Sequence, residues 1–439
     1  MKSNFLSTFL GTENLPPSAQ GVVQKFFLFA NFSNILLMFS STFYVLFILD
    51  KVDYQVLGTF LALSYVVQAS LDYPSGALGD WIGHKWVLTV SYVSYGLAYG
   101  ILVFADSFLE LLIVYLLGGF ARSQESGALQ SWFDNNYKVS ATVSDPNREV
   151  YQVFHGKFRL VFRSSGAIIF VLGGIIATVF FRETVFVIQS LGMFLFAGLC
   201  LMFVNNLPGL SKPKKSLKNY FKILGEGVFF SFSSKYMSFF VISTCIASAA
   251  WAIWGQMILF PLYFGYTGSD TGAAVFRFMI WFLSSLSAAK AGEWSKKLKL
   301  TKWLPSLDVL NKAIFFGFSA IIIFIFPLEN RLNLIAVSLV ISFFVFRGTI
   351  NHMYEVLRQR LSLDMIPDAY RNSVYSLLPT LSLIASIPAV LIAGTLIEVL
   401  EIPLTLVILT LVGIISSVFL YLSCRFLPDE ILNEQIKSS

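Results

Sequence analysis

The chain has 439 residues, of which 56% are hydrophobic and 13% are charged, and its mean hydropathy is +0.72. Soluble globular proteins carry about a quarter charged residues, so this composition excludes an ordinary soluble enzyme and indicates a protein of the lipid bilayer. The formal net charge is +6, and the three cysteines and three histidines are scattered, which argues against a disulfide framework, a metal site or another bound cofactor.

Apolar segments long enough to cross a bilayer as helices, about 20 residues each, follow one another along the whole chain. Their continuous hydrophobicity excludes a membrane β-barrel, whose strands alternate over about ten residues. The predicted fold is all-α: a polytopic membrane protein with twelve transmembrane helices in two pseudo-symmetric six-helix bundles. The predicted helices cover residues 24–49, 55–79, 86–105, 109–131, 160–181, 184–205, 238–264, 271–292, 307–327, 332–354, 374–397 and 402–425.

The longest break between these segments, residues 206–237, is basic and has two prolines near its start, followed by a possible amphipathic helix. We predict an N-terminal six-helix bundle at residues 1–205, a basic cytoplasmic linker at 206–237 and a C-terminal six-helix bundle at 238–439. The linker is expected to lie against anionic lipid headgroups.

Lysine and arginine are concentrated in alternate loops, and such loops face the cytoplasm. With the N-terminus inside, the outer loops keep only Lys51, Arg182 and Arg331, each beside an acidic residue. The asymmetry predicts a multi-pass protein of the cell membrane with both termini in the cytoplasm. Its expected partners are the lipid bilayer and a small-molecule substrate, with protons as a further candidate. No nucleic acid is expected, and the chain is expected to be a monomer.

The stretch DYPSGALGDWIGHKWVL, residues 72–88, crowds glycines and charges between the second and third predicted helices. Its two helical glycines lie near one face and allow a neighbouring backbone to approach, and a later glycine permits a tight turn. The pattern resembles the loop 2–3 signature of the major facilitator superfamily (MFS). That resemblance implies the twelve-helix fold of a transporter whose loop acts as a conformational latch.

The resemblance implies that Asp80 is the acid of the latch, which would interact with the start of helix 11 and with a charge at the end of helix 4. Where the family usually has arginine this chain has His84, so the latch is either weaker or pH-sensitive. Structural packing explains the glycines equally well. The predicted latch comprises Gly76, Gly79, Asp80, Gly83, Lys85, Asp134 and Arg371.

Two arginines lie near mid-membrane in equivalent helices of the two predicted halves, Arg122 on helix 4 and Arg347 on helix 10. An arginine inside a membrane helix costs at least about 2.5 kcal/mol, so it should face a partner or a watery cavity. Arg122 has Glu125 one turn away. Each arginine either draws an anionic or strongly polar substrate group or forms a structural contact. Arg163 and Arg277 lie near helix ends and are expected to snorkel.

Helices 1 and 7 line the central cavity in this fold, so their polar and aromatic faces are substrate-cavity candidates. Asn31 and Asn34 lie three residues apart on one face, and so do Trp251 and Trp254, with Gln256 just beyond. The same side chains can serve as packing contacts between helices, and both interpretations stay open.

Proton coupling would require a carboxylate whose exposure changes, and the candidates inside helices are Asp72 and Glu125. The chain has no Walker loop and no converging nucleophile and base, so ATP-driven transport and an enzyme are both disfavoured. The sequence predicts a secondary transporter of a small organic solute that works by alternating access, with proton coupling open. The alternatives are an organic anion or phosphate-ester exchanger that uses both arginines, and a non-transporting receptor of the same fold.

Overall fold

The computed structural model describes residues 5–205, 207, 217–328, 333–366 and 368–428, with the backbone alone at 73–81, 217–224, 288–289, 292, 296, 368–373 and 375–376. These residues form helices without a strand, which confirms the predicted all-α class. Helices α1 to α17 are, in chain order, Phe5–Leu10, Pro17–Met38, Tyr44–Leu49, Tyr54–Ile82, His84–Leu102, Phe108–Glu125, Ala128–Ala141, Glu149–Val179, Arg182–Phe203, Leu217–Ser233, Lys235–Ile253, Leu259–Thr267, Asp270–Lys296, Leu300–Val309, Phe315–Ile325, Leu334–Met365 and Asp368–Arg425.

The predicted membrane segments coincide with helices over their main length. In the described part of the chain, 8 helices are long and apolar enough to cross a membrane. The chain is therefore a multi-pass membrane protein, and the count of twelve crossings stays a prediction.

Three irregularities interrupt the long helices of the C-terminal half. A π-helical segment, Trp254–Ile258, joins α11 to α12, and a second one, Leu310–Ile314, joins α14 to α15. Such segments occur frequently at functional sites, because they redirect the side chains that follow. Helix α17 is broken at Glu401, whose φ is +62°, and this break falls between the predicted helices 11 and 12.

The chain divides into two compact units, and residues 1–44 and 67–215 form the first. Its core is aromatic: the ring centroids of Phe26 and Phe133 lie 4.2 Å apart, and Phe26 lies 5.2 Å from Phe158. Helix α5 packs on α9, where the Ser190 hydroxyl donates to the Gly96 carbonyl at 2.7 Å.

The second unit contains residues 45–66 and 216–439. Residues 45–66, which carry α3 and the first turns of α4, pack against α17. The Tyr54 backbone N–H donates to Glu398 Oε1 at 2.7 Å. A Cβ at Gly58 would lie 2.6 Å from the Val390 carbonyl oxygen, so glycine permits this close approach. The predicted domain boundaries stay a prediction.

The predicted linker contains a helix, α10, which packs against α17 within the second unit. Phe229 is 77% exposed and Phe232 is 48% exposed. Exposed aromatic side chains on a helix beside membrane segments are suited to contact with lipid.

Candidate functional site

A polar cavity of about 70 Å³ lies inside the second unit. A cavity of this size has room for a few water molecules. Helices α11, α16 and α17 and the π-helical segment 310–314 form its walls. The lining residues are Ser243, Thr244, Ala247, Ser248, Trp251, Asn311, Lys312, Asn351, Tyr354, Glu355, Arg358 and Leu420.

A buried ion pair, Asp308 with Lys312, supports one wall of this cavity. Lys312 Nζ lies 2.7 Å from Asp308 Oδ1 and donates to Oδ2 at 2.9 Å. The side chains are 0% and 2% exposed. Lys312 Nζ also donates to Ser416 Oγ at 2.9 Å, and Ser417 Oγ donates to Asp308 Oδ2 at 2.7 Å. These hydrogen bonds from α17 offset part of the cost of taking both charges out of water.

Sequence analysis missed this ion pair. The available signal was the spacing, because Asp308 and Lys312 stand four residues apart inside an otherwise apolar predicted helix. Residues at that spacing share a helix face. The cavity that they border is formed by helices far apart in sequence, and the sequence does not specify it.

Arg347 lies on two aromatic rings. Its guanidinium carbon is 4.2 Å from the ring centroid of Trp251 and 5.1 Å from that of Phe315. Arg347 Nε has no hydrogen-bond partner among the described residues. Cation–π contacts of this kind stabilise a buried guanidinium without neutralising it. The structure thus joins Arg347 and Trp251, two residues that the sequence identified separately.

The other cavity candidates on predicted helix 7 lie beside this group. Trp254 is buried and meets Phe315 edge-on at 4.9 Å. Gln256 is half-buried within the π-helical segment 254–258.

Helix α16 supplies a polar stripe, because Arg347, Asn351, Glu355 and Arg358 recur every three or four residues. Asn311 Nδ2 donates to Asn351 Oδ1 at 3.0 Å. On α11, Thr244 accepts a hydrogen bond of 3.3 Å from the Arg358 guanidinium. These bonds fix the stripe against the neighbouring helices around the cavity.

In the first unit, Arg122 is exposed and acts electrostatically on both Asp72 and Glu125. Glu125 Oε1 accepts from the Ser33 hydroxyl at 3.2 Å, and Ser33 Oγ in turn accepts from Tyr92 at 3.0 Å. The structure therefore brings together the predicted arginine and both predicted proton-coupling acids.

The two asparagines of predicted helix 1 use their donors within the helix bundle. Asn34 Nδ2 donates to the Phe162 carbonyl of α8 at 2.8 Å, and Asn31 Nδ2 donates to the Phe27 carbonyl at 2.7 Å. Both side chains are buried. These contacts favour the packing interpretation of the two amides.

Four residues of the predicted latch, Gly76, Gly79, Asp80 and Arg371, lie outside the described side chains. The backbone of α4 continues to Ile82. Gly83 follows with a φ of +98°, a left-handed conformation that favours glycine, and the predicted tight turn is present there.

The two described charges of the predicted latch have partners within the first unit. Asp134 Oδ1 accepts hydrogen bonds from the Tyr151 hydroxyl at 2.7 Å and from Gln130 Nε2 at 3.0 Å. Lys85 Nζ lies 5.7 Å from the Trp86 ring centroid. The latch itself stays a prediction.

Arg277 differs from expectation, because it does not snorkel to a surface. It is 8% exposed, and its guanidinium carbon lies 5.0 Å from the Phe260 ring and 5.6 Å from the Trp281 ring. The two rings bury the cation within the helices, which explains the difference. Arg163 is exposed.

The sequence matches no family model and no curated protein. It is similar in structure to the nucleoside transporter NupG, with a TM-score of 0.71 and 12% identity over 94% of this chain and 100% of that one. It is also similar to a bacterial homologue of the human lysosomal transporter Spinster, inward-facing and unoccupied, with a TM-score of 0.68 and 13% identity over 93% and 97%.

A third similar structure is a POT family transporter in complex with a thioalcohol-conjugated peptide, with a TM-score of 0.64 and 13% identity over 93% of this chain and 98% of that one. All three structures are of transporters, not enzymes. Identities this low show a shared fold, which here extends over nearly the whole of both chains.

Proposed function

The chain has the fold of the major facilitator superfamily transporters, and on that premise we propose that it is a secondary transporter of a small organic solute. The polar cavity in the second unit is the observation that carries this proposal. Charged groups such as Lys312 and Arg358 are costly among membrane helices, and they are typically kept where they face a substrate pathway.

The structurally similar proteins indicate what kinds of solute to test. Their names describe a nucleoside transporter and a transporter bound to a peptide conjugate. Both solutes are polar organic molecules of modest size. The cavity is lined by amides, hydroxyls and charges, which offer hydrogen-bond donors and acceptors to a polar group of such a molecule.

A second candidate function is the exchange of organic anions or phosphate esters. It is favoured by Arg347, because its ring contacts leave the charge unneutralised and its Nε has no partner among the described residues. Arg122 supports the exchange of anions less, because its guanidinium already interacts electrostatically with the carboxyl groups of Asp72 and Glu125.

Coupling to protons is a finer part of the proposal. Asp72 and Glu125 remain candidates in the first unit, where Glu125 Oε1 accepts a hydrogen bond from the Ser33 hydroxyl. The variants Asp72→Asn and Glu125→Gln should lower uptake driven by a pH gradient if either acid binds the coupled proton.

Counterflow in proteoliposomes tests the proposed function. Purified protein is reconstituted, and the exchange of labelled uridine, alanyl-alanine, lactate and glycerol 3-phosphate is measured without an ion gradient. We expect saturable exchange of at least one solute, and no exchange of any of them would contradict the proposal.

The matched variants Arg347→Ala and Arg163→Ala test the site. Loss of a charge-assisted contact should reduce exchange about tenfold in Arg347→Ala. The exposed Arg163 serves as the control, and its removal should leave exchange near the wild-type rate. Equal exchange by both variants, with normal folding, would exclude Arg347 from the site.

A further inference from the structure

The buried Asp308–Lys312 pair lies at the border of a cavity, and its two members have different positions there. Lys312 lines the cavity, whereas Asp308 does not. An ammonium has three N–H donors, and among the described residues Lys312 gives one to Asp308 and one to Ser416. The ammonium therefore stands between a fully buried carboxylate and a polar space.

Stability alone is a poor reason for such a pair. Replacing a buried ion pair by apolar residues is often neutral or stabilising, while removing one partner costs about 3–5 kcal/mol. Such a pair is best explained if the protein has a second state, in which the ammonium and the carboxylate each have a different partner. The nearby cavity supplies the place where a second anion could compete for the ammonium.

The local charges favour an anion in this region. The titratable and charged groups that face the pair, besides its own members, are Tyr354, Glu355, Arg358 and Cys424. Arg347 lies on Trp251, which lines the same cavity. Among these described groups, three cations (Lys312, Arg347 and Arg358) face two carboxylates (Asp308 and Glu355). One positive charge is in excess, and in a medium of low dielectric it attracts a single negative charge.

We propose that the cavity binds the anionic group of a small organic substrate, and that Asp308 takes up a proton when Lys312 turns toward that group. This inference rests on the proposed transport function. The bound anion competes with Asp308 for the ammonium. Asp308 then takes up one proton from bulk solvent, which reaches it by way of the cavity once the ammonium has turned away, because a buried ionised carboxylate without a cation is costly. Dissociation of the anion reverses both steps.

The consequence is a reciprocal link between two ligands. If binding of the anion promotes binding of the proton, then the proton promotes binding of the anion by the same factor. The substrate class is a small organic anion that binds with one negative charge, either a carboxylate or a singly protonated phosphate ester, and the transport mode is symport with a proton.

Binding is tested first, on the purified full chain. Thermal unfolding and intrinsic tryptophan fluorescence are titrated with lactate, benzoate and glycerol 3-phosphate, and with the neutral partners lactamide, benzamide and glycerol. We expect at least one acid to stabilise the protein more than its neutral partner does. Equal responses to both members of every pair, or no response to any acid, would overturn the proposal.

Proton uptake is tested next, by calorimetry of the binding acid in buffers of different ionisation enthalpy. About one proton should be taken up per bound anion. The variant Asp308→Asn should abolish this uptake, whereas Glu355→Gln, which removes the other carboxylate near the cavity, should retain it. The reverse pattern would assign the proton to Glu355 and overturn the proposal.

Accumulation in proteoliposomes supplies the transport measurement. With a pH gradient of one unit, alkaline inside, the wild type should accumulate the anion about tenfold, since one unit corresponds to a factor of ten for one coupled proton. Asp308→Asn should show no gradient-driven accumulation. If that variant fails to fold, the neutral pair Asp308→Asn with Lys312→Gln tests the other half of the proposal, because it leaves no unpaired buried charge. It should no longer be stabilised by the anion more than by the neutral partner, and stabilisation at the wild-type level would overturn the role of the Asp308–Lys312 pair.

The two proposals can fail separately. If the wild type shows no counterflow of any solute that binds, the proposed function is wrong. If counterflow is present but binding takes up no proton, the proposed function stands and only the role of the Asp308–Lys312 pair is overturned.

Discussion

At the residue scale, two cations at the candidate site, Lys312 and Arg347, are stabilised in different ways. Lys312 has a carboxylate partner, whereas the half-buried Arg347 lies on aromatic rings. The contrast follows from their chemistry, because a planar guanidinium stacks well on a ring and an ammonium is a compact, strongly hydrated charge. A ring contact leaves the arginine charge available to a ligand.

One acid outside the membrane segments stabilises a helix end. Asp145 precedes α8, and its carboxylate accepts hydrogen bonds from the Tyr137 hydroxyl at 2.6 Å and from the backbone N–H of Tyr151 at 3.0 Å. Burial by itself raises the pKa of the Asp145 carboxyl, but these hydrogen bonds outweigh burial and hold the pKa below its usual value of 3.8. The ionised form is therefore the one that stabilises the folded state.

Asp145→Asn should lower the free energy of unfolding by about 1 kcal/mol at neutral pH, the usual effect of losing a helix-capping contact. Since the folded pKa is the lower one, the stabilisation is complete above the ordinary pKa and is lost as the pH falls through the folded value. Unfolding of both proteins in detergent, followed across pH, checks this expectation.

The exposed Glu149→Gln variant changes the charge equally nearby and is the control. Glu149→Gln should lower the free energy of unfolding less than Asp145→Asn does. If the free energy of unfolding of Asp145→Asn stayed below that of the wild type by the same amount down to the most acidic pH, the ionised carboxylate would not be the source of the stabilisation.

At the element scale, glycines set how closely helices approach. A Cβ at Gly413 of α17 would lie 3.1 Å from the Ala313 backbone nitrogen and 3.2 Å from Lys312 Cβ. Gly413 thus allows α17 to lie against the π-helical segment 310–314, and its neighbours Ser416 and Ser417 can reach the ion pair. The tight packing of two elements positions the polar network.

Among the glycines with described surroundings, the one with the least space for a side chain lies in α8. A Cβ at Gly173 would overlap the carbonyl oxygen of Phe39, a backbone atom that cannot turn away. Gly173→Ala should therefore destabilise the protein by about 1–3 kcal/mol, as overpacking typically does. The shift in thermal unfolding temperature in detergent measures this.

Gly118→Ala is the matched control, because Gly118 is also helical and a Cβ there would meet nothing within 4 Å. Alanine is the better helix former, so this variant should be neutral or gain up to about 1 kcal/mol. Similar losses in the two variants would show that helix propensity, not contact with Phe39, decides the outcome.

At the scale of the whole molecule, the compact units do not follow the order of the chain. Residues 45–66 belong to the second unit, while the segments on either side, 1–44 and 67–215, belong to the first. Contacts such as that of Tyr54 with Glu398 join residues more than three hundred positions apart. Sequence distance is thus a poor guide to packing in this fold.

Membrane orientation is a whole-molecule prediction that reporter fusions check in a bacterial host. The charge asymmetry of the loops predicts cytoplasmic termini. Green fluorescent protein fused after Ser439 should fluoresce, and alkaline phosphatase at the same point should be inactive. Phosphatase fused after Asp53, in a predicted outer loop, should be active. Reversed signals at both points would invert the predicted topology.

The resemblance of residues 72–88 to a family signature predicted the fold, and the structural similarities agree with it. The candidate site was predicted only in part. Arg347 was identified as an arginine inside an apolar helix and Trp251 by its spacing from Trp254 on one helix face, and the structure brings Arg347 and Trp251 together. Asp308 and Lys312 were missed although their spacing of four residues in an apolar helix was a signal. The cavity beside them was missed because no local pattern marks the point where distant helices enclose a cavity.

The sequence by itself determined the all-helical membrane architecture. Hydrophobicity and segment length act locally, and a bilayer leaves helices as the way to satisfy the backbone of long apolar runs. Only the tertiary structure decided which polar side chains meet. The partners of Lys312 come from Asp308 in the preceding turn and from Ser416 more than a hundred residues later. A contact of that kind depends on helix packing and on glycines such as Gly413, which act between segments instead of within them.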